Sequence, residues 1–328
     1  MVFITLWAVT AVAFCLFVFV LQYYLRIILN LFLNVQIKAE PNQPVEMEGR
    51  EIAFESSDGV RLVGRLLPAR GGEAHEVNGR APAVIFCHEF GSNHQSVAEY
   101  AAFLRDEGLH VFTFDFSNHG ESETRPDYTP RHWASVYELN DLLGAIDCVA
   151  GLPEVDAERL GLFGISRGAS TAICASELRP VRFVISDGAF STHQILENYM
   201  QKWVSIYGVW PSLYRHYPTS MYRALRWMTI RLSKFRLGYR FLNLAERLKD
   251  VSTPILFIHG ERDTYIKADH ARWLHRIYRG PKQLFVAPKA RHNEAVRLHP
   301  VDYHRRVAAF VTAHTGLPAP QPTSTEAP

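Results

Sequence analysis

The pattern of apolar and polar positions divides the chain into unlike parts. From Val2 to Leu25 it is apolar apart from Thr5, Thr10 and Gln22, and as a helix this run is about 36 Å long, enough to cross a bilayer. It has neither the basic start nor the small-residue cleavage site of a secretory signal, and no Lys or Arg precedes Arg26, so the expectation is a retained anchor. Tyr23, Tyr24 and the mixed stretch from Arg26 to Lys38 suit a membrane interface. The alternative is one long bent helix packed on the rest of the protein. Basic residues follow the span and none precedes it, which places the remaining chain on the cytoplasmic side.

Beyond the linker around Pro41 and Pro44, short apolar runs alternate with stretches of helical period. Arg50–Glu55 and Arg61–Leu67 flank the Ser57-Asp58-Gly59 turn and read as a hairpin at the antiparallel edge of a sheet. Ala69–Arg80 is glycine-rich and aperiodic, a surface loop. Ala83–Cys87, Leu109–Asp115, Arg159–Phe163, Arg182–Ser186, Ile255–His259 and Gln283–Ala287 read as strands, the first of them a continuous apolar run suited to burial on both faces of a parallel sheet. Val97–Glu107, Trp133–Ala150, Ala169–Leu178 and His299–His314 read as helices. This alternation predicts an α/β fold, a mostly parallel eight-stranded sheet flanked by helices.

Between Gly188 and Ser252 the alternation stops. Trp203, Tyr207, Trp210, Tyr214, Tyr217, Tyr222 and Trp227 are interleaved there with Arg215, Arg223, Arg226, Arg231, Lys234, Arg236 and Arg240. The segment is expected to be an inserted helical cap over the active site. Its composition suits either an aromatic core with a solvated basic rim or a surface lying on anionic lipid headgroups. Nucleic-acid stacking would use the same residues, but no recognition motif accompanies them and no nucleic-acid partner is expected. The domain boundaries that follow are an anchor over 1–40, a linker over 41–49, a body over 50–187 and 251–315, a cap over 188–250, and a disordered Pro-, Ser- and Thr-rich tail over 316–328.

A formal charge of +2 over 328 residues argues against a global field for polyanions. Cys15, Cys87, Cys148 and Cys174 lie in apolar runs without paired spacing, and read as buried small hydrophobes. No cofactor is called for. His88-Glu89 within HEFGSNH lacks the H-E-x-x-H spacing that puts two imidazoles on one helix face, so no metal is expected either.

The candidate chemistry centres on Gly164-Ile165-Ser166-Arg167-Gly168, between an apolar run and a helical one. A serine on a tight strand-to-helix turn is lifted clear of the sheet as a nucleophile, and the flanking glycines leave room for the bend. Such a serine needs two backbone N–H donors for the negative charge that develops on a substrate carbonyl oxygen. Phe90, in the loop after Ala83–Cys87, and Arg167 are the candidates.

CHEFGSN at Cys87–Asn93, DFSNHGES at Asp115–Ser122, GISRG, HGERD at His259–Asp263 and ARHNEA at Ala290–Ala295 together resemble the α/β-hydrolase superfamily. The similarity is to its serine hydrolases of the lysophospholipase, monoacylglycerol lipase and serine aminopeptidase type, and it covers about Arg50 to Gly316. The resemblance implies a triad in the chain order Ser166, Asp263, His292. Asp187 is the alternative acid. His119, which precedes the serine, is expected to bond within its own turn, and His259, His270, His299 and His304 read as ordinary core or surface histidines. One departure is Glu89, where relatives carry glycine after the histidine; a carboxylate there opposes an oxyanion unless it turns away.

The expected function is a membrane-anchored serine hydrolase that cleaves acyl esters, with small-molecule or lipid esters as substrates and membrane lipids as partners of the anchor and cap. A peptidase or acyltransferase using the same serine, and a non-catalytic binding protein with the same fold, are the alternatives.

Overall fold

A computed structural model describes residues 2–34, 48–70, 77–207, 216 and 218–317. Most of the linker, the tail beyond Leu317, and Trp210, Tyr214, Arg215 and Tyr217 of the insertion lie outside the described residues. In chain order the elements are α1 (Val2–Asn34), β1 (Arg50–Glu55), β2 (Arg61–Leu67), β3 (Ala81–Cys87), α2 (Val97–Tyr100), β4 (His110–Phe114) and α3 (Val136–Ala150). There follow β5 (Val155–Ile165), α4 (Arg167–Ala175), β6 (Val184–Asp187), α5 (Thr192–Tyr207), α6 (Thr219–Leu237) and α7 (Leu244–Arg247). The chain ends with β7 (Ile255–Gly260), α8 (Ala268–Ile277), β8 (Lys282–Ala287), α9 (Ala295–Leu298) and α10 (Pro300–Thr315).

The strands form one eight-stranded sheet in the order β1-β2-β4-β3-β5-β6-β7-β8. β1 pairs antiparallel with β2, and β2 with β4, as an apolar-polar hairpin at a sheet edge should. All other pairs are parallel. Alternate residues of the central strands face opposite sides: Ile85 and Cys87 enter one apolar cluster with α3 and α4, Val84 and Phe86 another with α2 and α10. Because both sides are covered, β3 is buried at every position. The register sets Cys87 beside Gly164, Ile165 beside Asp187 and Gly260 beside Ala287, so the carboxyl ends of β3, β5, β6, β7 and β8 finish along one rim.

Three local expectations are revised. The single helix over Val97–Glu107 is instead α2 followed by a 3₁₀ turn, Ala102–Arg105, with Ala101 out of helical space at φ −135° and a further 3₁₀ turn, His94–Ser96, just before α2. Tertiary bonds replace helical ones: Arg105 Nε donates to the Pro68 carbonyl at 2.8 Å and the Arg70 N–H to the Arg105 carbonyl at 2.8 Å. β5 begins at Val155, where Ala81 of β3 extends the pairing across a register shift. Cys15 is exposed and Cys148 half-buried; Cys87 and Cys174 are buried, and all four are free thiols. Cys15 fails the expectation because it sits on the half of α1 that is exposed, with nothing packed against it among the described residues.

The chain separates into two compact units, Met1–Ile37 with Thr192–Phe241, and Lys38–Ser191 with Leu242–Pro328. The helix read as an anchor and the segment read as a cap thus fall in one unit, while α7 belongs to the sheet-bearing one. In the smaller unit α1 contacts α5 and α6. Tyr24, Ile28, Leu29, Phe32 and Leu33 are buried, with Phe32 edge-on to Phe241 at 5.2 Å. The first half of α1 is exposed from Phe3 to Phe17, within an apolar helix long enough to cross a membrane.

Candidate active site

β5 ends at Ile165 and α4 begins at Arg167, leaving Ser166 alone between them at φ 52°, ψ −110°. A left-handed backbone costs a non-glycine residue on the order of 1–3 kcal/mol and persists only where its surroundings enforce it. Here the Ser166 N–H donates to the Asp187 carbonyl at 2.7 Å, and the Ser166 carbonyl accepts from the Ser170 N–H at 3.1 Å. The two flanking glycines permit close approach. A Cβ on Gly164 would lie 2.5 Å from the Ala169 backbone, and one on Gly168 would lie 2.1 Å from the Cys87 carbonyl oxygen.

At the rim of the sheet Ser166 Oγ lies 2.9 Å from His292 Nε2. His292 Nδ1 lies 2.6 Å from Asp263 Oδ2. The carboxylate can only accept, so Nδ1 carries the ring proton and Nε2 presents a lone pair to the serine hydroxyl. Asp263 follows β7, and its other oxygen accepts from the Tyr265 and Ile266 N–H groups, both at 2.8 Å. Burial raises the Asp263 pKa, but its bonds to His259 and His292 outweigh that and hold it well below the usual carboxylate range. The carboxylate therefore stays charged and fixed while the imidazole is 18 % exposed.

The two oxyanion candidates are neighbours. Gly168 of α4 packs on the Cys87 and His88 carbonyls at the end of β3, and the Arg167 guanidinium lies 5.3 Å from the centre of the Phe90 ring. The Arg167 N–H opens α4, where the helix itself offers no acceptor. Glu89 accepts from Ser96 Oγ at 3.2 Å, and burial raises its pKa, favouring the uncharged acid. Both features reduce the repulsion that a carboxylate at this position would exert on an oxyanion.

Beneath the turn the Arg167 side chain is fully buried and paired with Glu138 of α3 at 3.2 Å. It donates to the Arg131 carbonyl at 3.0 Å and to His119 Nε2 at 3.1 Å. His119 Nδ1 in turn donates to the Ser117 carbonyl at 3.0 Å, so this imidazole is neutral and bonded on both sides. Burial and the Arg167 charge lower its pKa to about 4. His119 thus serves the turn and also steadies the residue after the serine.

Asp187 stands at the end of β6, fully buried, and takes a hydrogen bond from Tyr303 at 3.0 Å. Its Oδ1 has no partner among the described residues, and desolvation raises its pKa to about 6. The imidazole of His292 is bonded to Asp263 instead. His270 accepts from the Ser191 N–H, His299 donates to the Pro288 carbonyl, and His304 stacks on Phe103. His259, expected to be an ordinary core or surface histidine, is instead bonded to the Asp263 carboxylate. Its Nε2 lies 2.6 Å from the Ile266 carbonyl and 3.2 Å from Asp263 Oδ2, so a second imidazole N–H reaches the same carboxylate. Burial opposes a charge on His259, yet the Asp263 bond and charge raise its pKa overall. The available signal was its place four residues before Asp263, where a strand ends.

Among the described residues no group of three His, Cys, Asp or Glu is arranged to hold a metal ion. A family model described as serine aminopeptidase, S33, matches residues 80–295. The uncharacterized protein YfhR of Escherichia coli K12 is 26% identical over 292 residues, covering 88% of each chain. The uncharacterized protein Rv2307c of Mycobacterium tuberculosis is 26% identical over 246 residues, covering 75% of this chain and 73% of its own. Among solved structures the Pyrococcus furiosus esterase Pf2001 superposes with a TM-score of 0.61 at 21% identity, over 86% of this chain and 97% of that one.

Proposed function

The chain belongs to the serine aminopeptidase S33 family of α/β hydrolases, and from that premise we propose that it is a serine hydrolase that cleaves carboxylic esters through an acyl-enzyme. The observation that carries this reading is the line of contacts from Ser166 Oγ to His292 Nε2 at 2.9 Å and from His292 Nδ1 to Asp263 Oδ2 at 2.6 Å. Ser166 attacks the ester carbonyl as its proton passes to His292 Nε2, and Asp263 stabilises the imidazolium that forms. The Phe90 and Arg167 N–H groups receive the oxyanion, each contributing roughly 3 kcal/mol to the barrier reduction. The proton then moves to the leaving alkoxide, and a water activated by the same imidazole releases the acid.

The first half of α1 is the proposed membrane anchor. Its support is an exposed apolar surface that bulk water would not tolerate over that length. The anchor makes lipid esters a natural substrate class, since the chain would be held where they reside.

A fluorophosphonate probe tests the nucleophile. The full chain is expected to be labelled, and Ser166→Ala to lose both the label and at least about 1,000-fold in p-nitrophenyl ester turnover. Labelling of the variant would refute the assignment. A panel of p-nitrophenyl esters, lysolipids and aminoacyl amides separates esterase from peptidase, with preference for the amides overturning the ester reading.

A further inference from the structure

Basic residues are segregated in this chain. Positions 192–241 hold eight Lys or Arg and a single acid, a formal +7, so the remainder carries −5 of the overall +2. That acid, Glu197, is paired with Arg226 at 2.8 Å. α6 sorts what is left onto one side. Tyr222, Leu225, Thr229 and Ser233 are buried, at the spacing of a single helix face. Arg223, Trp227, Arg231, Lys234 and Phe235 are exposed on the opposite face. Trp227 is 59% and Phe235 87% exposed, and the Arg231 guanidinium stands 4.7 Å from the Trp227 ring centre.

Solvation accounts for the cations on this face. It does not account for an indole and a phenyl ring left in water among them. A helix with bulky rings interleaved with Arg and Lys is suited to the headgroup layer of a bilayer, where rings enter the acyl boundary and cations meet phosphates. The same unit supplies continuity with such a layer. α1 packs on α6, its first half is apolar and exposed, and the Tyr23 hydroxyl donates to the Tyr207 carbonyl at 3.2 Å. That bond fixes the end of α5, with Ile206 and Tyr207 both exposed, close to where the apolar half of α1 emerges.

We propose that the exposed face of α6 docks on the headgroups of an anionic bilayer, with Trp227 and Phe235 in the interface and Arg223, Arg231 and Lys234 on lipid phosphates. The proposal rests on reading α1 as a membrane anchor and adds a requirement for lipid charge. Anionic lipid is favoured over an acidic protein because α1 already delivers this unit to a bilayer.

The full chain is reconstituted into vesicles of phosphatidylcholine alone and of phosphatidylcholine with phosphatidylglycerol. Flotation on a density gradient reports α1. Quenching by lipids brominated near the headgroup, compared between the parent and Trp227→Phe, isolates Trp227 and reports α6. The expected result is flotation with both vesicles, with the Trp227 share of quenching seen only with phosphatidylglycerol and abolished by high salt. The combined variant R223E, R231E and K234E, its fold checked by circular dichroism, should still float and lose that quenching. If the chain floats but Trp227 is quenched equally in both vesicles, or in neither, the docking proposal falls and the anchor stands. If the chain floats with neither, both fall.

Discussion

Asp187 and His259 carry the individual tests. Asp187 is a carboxyl whose folded pKa, about 6, lies above its ordinary 3.8 because burial disfavours its charge. The folded state therefore binds the proton more tightly than the unfolded one. Below about pH 3.8 there is no penalty, and as pH rises through 6 the protein loses stability that it does not regain. A shift of this size corresponds to about 3 kcal/mol. Asp187→Asn, which cannot ionise, should escape the loss: thermal unfolding at pH 4 and pH 8 should show the variant gaining on the parent by about that amount at the higher pH. An equal gap at both pH values would mean that the carboxyl is already ionised without penalty. His259 shares Asp263 Oδ2 with His292, which makes it a positioning residue for that carboxylate. His259→Leu removes the donor and should lower kcat/KM for an ester by about 10- to 100-fold, the worth of a hydrogen bond to a charged group. His259→Gln keeps an N–H and should recover most of it. A Gln variant as impaired as Leu would point to packing instead.

The turn at Ser166 is legible as an element because its requirements are local: a strand, one residue in a left-handed conformation, a helix, and glycines where backbones meet. Gly168 exposes that logic to a direct test. A methyl group there would collide with the Cys87 carbonyl at 2.1 Å, so α4 would have to move off the end of β3. Gly168→Ala should cost about 1–3 kcal/mol of stability and, by displacing the Arg167 N–H, at least about 100-fold in ester turnover. Thermal unfolding and a p-nitrophenyl assay measure the two, and unchanged turnover would show that this helix start does not form the oxyanion site. α3 shows the same local legibility in its capping box, where Ser135 and Glu138 satisfy each other's backbone groups. The helix expected over Val97–Glu107 was not legible, since the bonds that interrupt it come from Pro68 and Arg70.

For the whole molecule, α1 joins the features behind two readings that the hydrophobic pattern presents as alternatives, the proposed anchor and a packed helix. Its first half is exposed and apolar, and its second half packs with α5 and α6. A chain lacking residues 2–17 should therefore leave the membrane fraction after an alkaline carbonate wash and retain ester turnover, whereas the full chain should stay with the membrane. Release of the full chain by carbonate would refute the anchor. The amino-acid sequence by itself determined what depends on period and neighbours: the parallel strands, the glycine-flanked turn, the apolar span, and the chain order of hydroxyl, carboxylate and imidazole. Tertiary structure alone decided which acid meets His292, that His259 joins the same carboxylate, and that Arg167 is buried on Glu138. Those outcomes rest on distances of a few ångströms between groups up to 126 residues apart, and only the register of neighbouring strands brings such groups to one rim.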